Sequence, residues 1–586
     1  MIRRTLGRTA AIFGFVVFAA SSQTSSDDDA VLRAMRDELD RSRQLRIVGG
    51  GDDVPYFISY TLTDDDSMHV SASMGAVVSS TRNHYRVPDV EVRVGSYDFD
   101  NTGHIYSGYY SGSRFDTEWP LDDNYANLRD SFWLATDRAY KAALESMGRK
   151  RAALSSANAP ADKLADFSKA EPVKNLAKVT RKKMDDAWTA RMARLSAVFN
   201  AYPEALSSAV EFEAIEGVTE MMNNEGTALR FPDEVAFVNV KAEGQAPDGM
   251  VVHDFRSLLA ANVDKLPPEA EMTKAVSAVA QDIRALAGAP MGEGFSGPTL
   301  FEPEAAAQLL AQLLGENFAV PRKPLAEPGR QVNFVPSEFE GRIGSRVLPE
   351  FFDVNDDPSQ TAWNGRTLAG HEMFDLEGVP DKPVSLVEKG VLKAYLTTRQ
   401  PVKGFEGGNG HARLSGSFGA PHASITNLFV RASQTSSLAD LKKKLIDTCK
   451  ERSKPYGMLV RKLDFPFSAG QAEVRALMAG AGASSPVSPP LLVYRVYPDG
   501  REELVRGLRF RGVSARSLRD ILAASQESAA FDFVNNAFPM ATVGAPGYMA
   551  PSSVIAPGLL FDEIEFERPQ EQLPKPPVVP APGVKQ

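Results

Sequence analysis

The pair His371-Glu372 begins like a zinc-protease motif. In that motif two histidines lie one helical turn apart and bind the metal, while the glutamate activates water. Here the fifth residue is Asp375 instead of a second histidine, and the neighbouring Gly370 and Gly378-Val379-Pro380 do not favour a helix. We therefore predict no metal site at this pair.

The histidines, at positions 69, 84, 104, 253, 371, 411 and 422, do not show the spacing typical of paired metal ligands. His411 and His422 lie in or just after the Gly-rich stretch 404–418, where a loop could approach a ligand; exposed loop histidines without a role are nevertheless the favoured interpretation. The same stretch lacks the Lys-Ser/Thr of a phosphate-binding loop, and the chain has no Gly-x-Ser-x-Gly elbow. The residue types alone therefore indicate no active site.

The single cysteine, Cys449, excludes an internal disulfide and Cys-rich zinc motifs. It lies in Leu441–Lys450, where apolar and lysine residues are mixed at helical spacing, so we expect a half-buried structural thiol. A nucleophilic role would need a nearby histidine, and none lies close in the sequence.

Charge and length limit the class of protein. The chain has 586 residues, a net charge of −10 and a pI of about 5.5, which favours two to four soluble globular domains and argues against a nucleic-acid surface. The basic run Arg181-Lys182-Lys183 adjoins Asp185 and Asp186 in a stretch with helical spacing. A solvated helix face is therefore expected there rather than a binding patch.

The N-terminus has the pattern of a signal peptide. Arg3, Arg4 and Arg8 precede the apolar run Ala10–Ala20, and small polar residues follow it. The run is shorter than the roughly 20 residues of a membrane-spanning helix, so cleavage is favoured over anchoring. We predict a signal peptide over residues 1–22, a periplasmic or secreted mature protein, and no membrane span after cleavage.

The first half of the chain mixes helical and strand patterns. Apolar residues at helical spacing predict helices over 31–45, 130–147, 179–199 and 263–286. Alternating patterns rich in aromatic and β-branched residues predict strands over 55–63, 70–79, 90–97, 207–213 and 228–243. The first three strands follow one another and suggest an antiparallel meander.

The composition changes at Ala287–Pro298, which is dense in Gly and Pro, and a helix is predicted just after it at Pro303–Asn317. Strands broken by turns are then predicted over 346–353, 384–397, 491–498, 503–513 and 553–565. We predict an α+β protein: an N-terminal α/β domain with an antiparallel sheet and long helices (30–290), a C-terminal antiparallel, barrel-like β-rich domain (291–567), and a Pro-rich disordered tail (568–586).

Several segments, taken in their order along the chain, resemble the TldD/PmbA family, also called modulators of DNA gyrase. They are Pro55–Tyr60, Val92–Tyr97, Asn224–Thr227, Phe374–Pro380, Leu386–Leu392, Asp499–Gly507 and Ile555–Glu563. The resemblance covers roughly residues 30–567, and its N-terminal pieces are similar to the exported branch of the family. It implies an N-terminal α/β domain followed by an antiparallel β-rich domain.

The resemblance also implies where a metal site would lie. Active members are dimeric peptidases that carry His-Glu-x-x-x-His on a helix and a later cysteine as a third zinc ligand. Aligning that helix with Leu309–Glu316 places Ala311 and Glu316 at the two histidines and Gln312 at the catalytic glutamate. The region matching the cysteine, Val543–Pro551, contains none. The resemblance therefore implies that the zinc ligands are replaced, and we predict no metal and no cofactor for this chain.

Three functions remain open. The first is an exported, zinc-less homologue, a pseudoenzyme in proteolysis that binds extended peptide or a catalytic family subunit in a homo- or heterodimer. The second is an active peptidase with a rearranged metal site built from Glu316 with His411 or His422. The third is a non-enzymatic envelope scaffold. Whether the chain is an enzyme is left open by its sequence.

Overall fold

The computed structural model describes residues 29–45, 54–105, 119–157, 164–327, 329–332, 334–414, 421–465, 487–536, 549–568, 573 and 575. The predicted signal peptide, most of the predicted tail and most of the segment matching the family's cysteine, 543–551, lie outside these residues. Within them, no helix combines the length and apolar character needed to cross a bilayer.

A side chain at the start of a helix can accept hydrogen bonds from the first backbone N–H groups of that helix. The side chain of Asp29, for example, accepts hydrogen bonds from the backbone amides of Val31 and Leu32. The helices are α1 (Ala30–Ser42), α2 (Tyr125–Ala157), α3 (Ala187–Ser196), α4 (Glu269–Gly288), α5 (Pro303–Leu310), α6 (Glu316–Phe318) and α7 (Leu438–Glu451).

Strands in the first half form one mainly antiparallel sheet, and their order is β2-β1-β5-β6, with β7 also paired to β6 and the short β4 added in parallel. Their bounds are β1 (Pro55–Ser73), β2 (Ala76–Val94), β3 (His104–Ile105), β4 (Lys174–Asn175), β5 (Ala205–Asn223), β6 (Ala228–Gln245) and β7 (Val251–Ala260). β3 lies outside this sheet and pairs with β9 (Leu325–Ala326).

Strands β1 and β2 are one long hairpin, so the prediction of a separate strand over 70–79 is wrong. The turn lies at Met74-Gly75, where both residues have positive φ angles of 49° and 90°. Because this turn carries methionine instead of asparagine or aspartate before glycine, the sequence offers only a weak turn signal. The polar run Asp64–Asp66, which looks like a break, is part of β1.

The two faces of the first sheet have different neighbours. Even-numbered residues of β1, such as Tyr60, Leu62 and Val70, pack in the core under α1 and α2 at one end and under α3 and α4 at the other. Odd-numbered residues of β1, such as Thr61 and Asp65, face the C-terminal half of the chain. The period-2 alternation of the strand therefore separates a dry face from a partly polar one.

The helix predicted over 179–199 begins only at Ala187. The preceding residues follow an irregular path because Arg181 forms ion pairs with Asp64 and Asp66 of β1. The basic run is therefore not a solvated helix face. Its arginine is held against the sheet instead.

Strands in the second half form a larger, mixed sheet in the order β14-β13-β10-β17-β24-β8-β19-β20-β21. Its principal strands are β8 (Phe295–Phe301), β10 (Phe352–Asp356), β13 (Val384–Glu388), β14 (Val391–Leu392), β17 (Asn427–Ala432), β19 (Gly457–Leu463), β20 (Pro490–Val496), β21 (Glu502–Val505) and β24 (Met549–Glu567). Shorter or branching strands are β11 (Ala362–Trp363), β12 (Arg366–Thr367), β15 (Ala412–Leu414), β16 (His422–Ala423), β18 (Thr435–Ser436), β22 (Arg509–Arg511) and β23 (Ile521–Asn536). The α+β class predicted from the sequence is confirmed.

The predicted helix at 303–317 is confirmed, and it packs on the large sheet. A π-helical turn at Ala311–Gly315 joins α5 to α6, so the helix is continuous to Phe318. Its residues form part of the largest described hydrophobic cluster, together with Val460 of β19 and Leu559 of β24. The predicted strand 346–353 begins only at Phe352, and 384–397 is a short hairpin that turns at Lys389-Gly390.

Two buried cations of the C-terminal half, Arg399 and Lys462, contact residues of the N-terminal half. Phe167 lies between the guanidinium groups of Arg93 and Arg399, which are 3.7 and 4.0 Å from its ring centroid. Lys462 of β19 forms an ion pair of 2.6 Å with Asp254 of β7. Because these pairs are buried, each contact fixes the position of the first sheet relative to the second.

Candidate functional site

The helix from α5 to α6 carries the three positions that the resemblance singles out. Ala311 is 4% exposed and packs in the large cluster beside Leu310 and Leu314. Its side chain offers no lone pair, and its surroundings are apolar. The first of the three positions is therefore part of the hydrophobic core.

Gln312 is bound through both ends of its amide. Its Oε1 accepts a hydrogen bond of 2.8 Å from the backbone N–H of Ser488, and its Nε2 donates one of 3.1 Å to the carbonyl of Gln308. A carboxylate at this position could accept from Ser488 but could not donate to a carbonyl. The neutral amide therefore fits a structural role that a glutamate would fill less well.

The nearby Gln308 behaves in the same way. It is fully buried, donates to the carbonyls of Leu463 and Phe465, and accepts from the amide of Leu463. Two successive turns of this helix thus satisfy backbone groups at the end of β19 and just before β20. These bonds explain why polar side chains lie on a helix that is otherwise apolar.

Glu316 is exposed at the helix end, and it lies close enough to His422 for its carboxylate to act on the imidazole. Burial lowers the pKa of His422, and the charge of Glu316 opposes that change without reversing it. His411 has other hydrogen-bond partners. It is fully buried, its Nδ1 is bonded to Asn409, and its Nε2 lies 3.2 Å from Asp356. The expectation of an exposed His411 is wrong.

A second polar region lies on the odd-numbered face of the first sheet. It is a cavity of about 250 Å³, here called the acidic cavity, between that face and the segment 369–376. Arg413, Ala550 and Pro551 complete the side that belongs to the C-terminal half. The His371-Glu372 pair lies in this segment, which is irregular as expected, and Glu372 pairs with Arg413.

The strand register explains how acidic groups meet in this cavity. Asp65 of β1 lies opposite Gly217 of β5, and Gly217 lies opposite Asp233 of β6. A Cβ atom on Gly217 would overlap Oδ1 of Asp65, so the glycine leaves room for that carboxyl group to lean across β5. The acidic pair was not predicted, because it depends on pairing between three strands far apart in sequence.

The electrostatics of the pair follow from its burial. Burial raises the pKa of Asp65 well above its usual range, and the neighbouring Asp233 raises it further. Burial and the nearby Glu372 raise the pKa of Asp233 to about 6. The carboxyl group of Asp233 thus makes ionisation of Asp65 less favourable.

One segment in the C-terminal half of the chain matches a known family model. Residues 296–452 match the model of the PmbA/TldA metallopeptidase C-terminal domain. These residues therefore form a domain of the TldD/PmbA type. A comparison with curated protein sequences found no match.

Solved structures share the fold of this chain. TldE from Thermococcus kodakarensis is 13% identical, with a TM-score of 0.56 over 91% of this chain and 100% of that one. A proposed modulator of DNA gyrase from Thermotoga maritima is 15% identical, with a TM-score of 0.53 over 87% of this chain and 96% of that one. Another from Bacteroides thetaiotaomicron is 10% identical, with a TM-score of 0.54 over 93% of this chain and 100% of that one.

The zinc of the family's metallopeptidases does not fit the residues at this helix. Ala311 has no donor atom, Gln312 has both amide atoms engaged, and Glu316 alone cannot build a tetrahedral site. In the described parts of the chain no three His, Cys, Asp or Glu side chains are grouped to hold a metal. Cys449 is buried on α7 in a separate apolar cluster, and burial raises its pKa to about 11.

Buried carboxyl groups on the first sheet predict that this protein loses stability at alkaline pH. Burial raises the pKa of Glu213 to about 8 and that of Glu216 to about 7, from 4.5. A group whose pKa is higher in the folded state stabilises the fold fully below its unfolded pKa, and this contribution disappears as the pH rises through the folded pKa. We expect the free energy of unfolding to fall by a few kcal/mol, on the order of 1.4 kcal/mol per unit of pKa shift, between pH 6 and 8.5.

Urea unfolding at several pH values measures this dependence. Glu213→Gln should reduce the loss between pH 6 and 8.5, whereas Glu243→Gln, which removes an exposed carboxylate of β6, should leave it unchanged. A free energy that stays constant or rises over this interval would contradict the assignment.

Proposed function

We propose that this chain is an exported, zinc-less member of the TldD/PmbA family that binds extended peptide, or a catalytic family subunit, without hydrolysing peptides itself. The observation that carries the proposal is the amide of Gln312, which is bonded at both ends where the family's active members place a catalytic glutamate. A neutral amide cannot take a proton from water as a carboxylate does.

The neighbouring positions support the same proposal. Ala311 contributes a methyl group to the core, and Glu316 is the one group of the three that could still ionise. Zinc-assisted hydrolysis needs several ligands and a base together, and a single carboxylate supplies neither a closed coordination shell nor a water-activating pair. Loss at one position could be repaired by another residue, but loss at all three supports a non-catalytic role.

Binding of extended peptide is supported by the edges of the sheets. β2 is at one end of the first sheet, and its turn-proximal half is exposed, with Val78 68% exposed. β21 is at one end of the path through the large sheet. An extended peptide or a strand of a partner can add to such an edge through backbone hydrogen bonds.

Export is proposed from the sequence of residues 1–22. A buried Cys449 as the sole cysteine suits an oxidising compartment, because a buried thiol is not available for unwanted disulfides. The mature protein would then rely on packing and on buried ion pairs for its stability.

Metal analysis tests the proposal. We expect the purified mature chain, exposed to zinc and desalted, to retain only substoichiometric zinc and to leave unfolded peptide substrates intact. The metal is measured by elemental analysis, and peptide cleavage by mass spectrometry. Stoichiometric zinc together with chelator-sensitive cleavage would overturn the proposal.

A peptidase with a rearranged site is the second candidate, because Glu316 and His422 interact. If peptide cleavage is found, Glu316→Gln and His422→Gln should each abolish it. His69→Gln, at a half-exposed histidine of β1 outside the acidic cavity, is the matched control and should retain it. Cleavage that survives both of the first variants would exclude this candidate as well.

A further inference from the structure

We propose that the acidic cavity binds an organic cation, a primary ammonium or guanidinium group, between Asp65 and Asp233. The proposal goes beyond the peptide- or partner-binding role above and does not depend on it. It concerns the lining of the acidic cavity, which does not include Ala311, Gln312 or Glu316.

The charge of the cavity wall is strongly unbalanced. Six carboxyl groups lie among the described lining residues, against one arginine. The guanidinium group of that arginine, Arg413, already has other partners. It pairs with Glu372 and donates to the carbonyls of Ile425 and Pro551. Among the described lining residues, no other Lys or Arg faces Asp65 and Asp233. Arg181, whose charge acts on Asp65 from outside the lining, is paired with Asp64 and Asp66.

Asp65 supplies the independent observation. The residue is 1% exposed, and its Oδ1 has no hydrogen-bond partner among the described residues. A buried carboxyl oxygen without a donor is costly, by roughly 1–3 kcal/mol or more. Gly217 clears the space beside this oxygen and Asp65 lines the cavity, so a donor in the cavity meets the carboxyl group to which the oxygen belongs.

The shape and chemistry of the cavity favour an organic cation over a metal ion. The described residues contain no group of three acidic or histidine side chains arranged to hold a metal. The volume of about 250 Å³ is several times the roughly 30 Å³ that one water occupies in the liquid. Ile215, Met221 and Phe231 supply apolar wall, which suits the methylene groups behind an ammonium or guanidinium head.

Such a cation has two possible sources with the same chemistry. One is a free amine such as agmatine or spermidine, and the other is the lysine or arginine side chain of a peptide. Both place N–H donors between the two carboxyl groups, where charge-assisted hydrogen bonds replace mutual repulsion. The ligand would therefore bind with both carboxyl groups ionised.

Calorimetric titration of the full mature chain tests the proposal. The probes are agmatine, spermidine and the peptides Gly-Gly-Arg-Gly-Gly and Gly-Gly-Gln-Gly-Gly. We expect at least one of the cationic probes to bind and the glutamine peptide not to bind. In the double variant Asp65→Asn/Asp233→Asn the dissociation constant should rise by about tenfold or more, which corresponds to about 1.4 kcal/mol.

The matched control is the double variant Asp137→Asn/Glu243→Gln, which removes the same charge from exposed or half-exposed positions on α2 and β6. It should bind the probes like the unmodified chain. Because the Asp65→Asn/Asp233→Asn change removes repulsion, it should not lower the melting temperature, and circular dichroism checks that it folds.

The outcomes separate the sources and can overturn the proposal. Tighter binding of the arginine peptide than of agmatine would identify a peptide side chain as the ligand, and the reverse a free amine. Absence of binding by all cationic probes, equal binding by the double variant, or binding of divalent metal alone would overturn it. None of these results bears on zinc content or peptide cleavage, so failure here is distinguishable from failure of the proposed function.

Discussion

Replacing Arg399 with alanine is expected to lower the free energy of unfolding by about 3–5 kcal/mol, as breaking a buried ion pair typically does. The arginine is fully buried, pairs with Glu225 at 2.7 Å and donates twice to the carbonyl of Ser168. Its guanidinium also stacks on Phe167. Alanine would leave Glu225 and that carbonyl without this donor and would create a void between the two halves of the chain.

Chemical denaturation monitored by fluorescence measures the loss. Arg399→Lys should recover only part of it, because an ammonium group cannot reproduce the planar fork that contacts Ser168 and Glu225 together. Arg431→Ala is the matched control: this exposed arginine also lies over an aromatic ring, that of Phe429, and its loss should cost less than about 1 kcal/mol. Equal effects at the two positions would show that Arg399 does not connect the halves.

Lys462→Met is expected to destabilise the chain to a similar extent, by about 3–5 kcal/mol. Lys462 bonds Asp254 and the carbonyl of Phe255, and both charged residues are almost fully buried. Methionine matches the length of the lysine stem but leaves Asp254 as an uncompensated charge. Because one oxygen of Asp254 already has no hydrogen-bond partner among the described residues, the remaining carboxylate would be especially poorly solvated.

The double variant Lys462→Met/Asp254→Leu separates the charge effect from the packing effect. Since replacement of a whole buried pair by apolar residues is often neutral, the double variant should be more stable than Lys462→Met alone. Lys443→Met, on the exposed side of α7, is the control and should change stability by less than about 0.5 kcal/mol. A double variant that is less stable than the single one would contradict the account. Thermal and urea unfolding give the comparison.

Local sequence patterns predicted the elements whose conformation depends mainly on residues close in sequence. The helix at Pro303–Phe318 has proline in its first turn and a continuous apolar face, and its start was predicted correctly. The hairpin of β1 and β2 was missed because three aspartates in the middle of β1 looked like a break. Those aspartates are accommodated by partners that are remote in sequence, such as Arg86 and Arg181 for Asp64.

The positions of single side chains at the candidate sites were less predictable. His411 lies in a Gly-rich segment that favours an exposed loop, yet its imidazole is buried against Asp356. The acidic cavity depends on the register of three strands, and nothing in the sequence around Asp65 indicates that Gly217 and Asp233 lie beside it. Long-range pairing decides both outcomes, and a single sequence does not reveal it.

The position of β24 in the large sheet has a consequence for how the chain folds. This strand pairs with β8, β17, β22 and β23, so the sheet is assembled around a segment that ends at Glu567. During synthesis β8 and β17 emerge long before β24, and the edges that pair with β24 stay unpaired until it has been made. Contacts of such high sequence separation make folding slow, and unpaired edges favour aggregation in the meantime. A chain cut before β24 would therefore lack the centre of the sheet rather than its border.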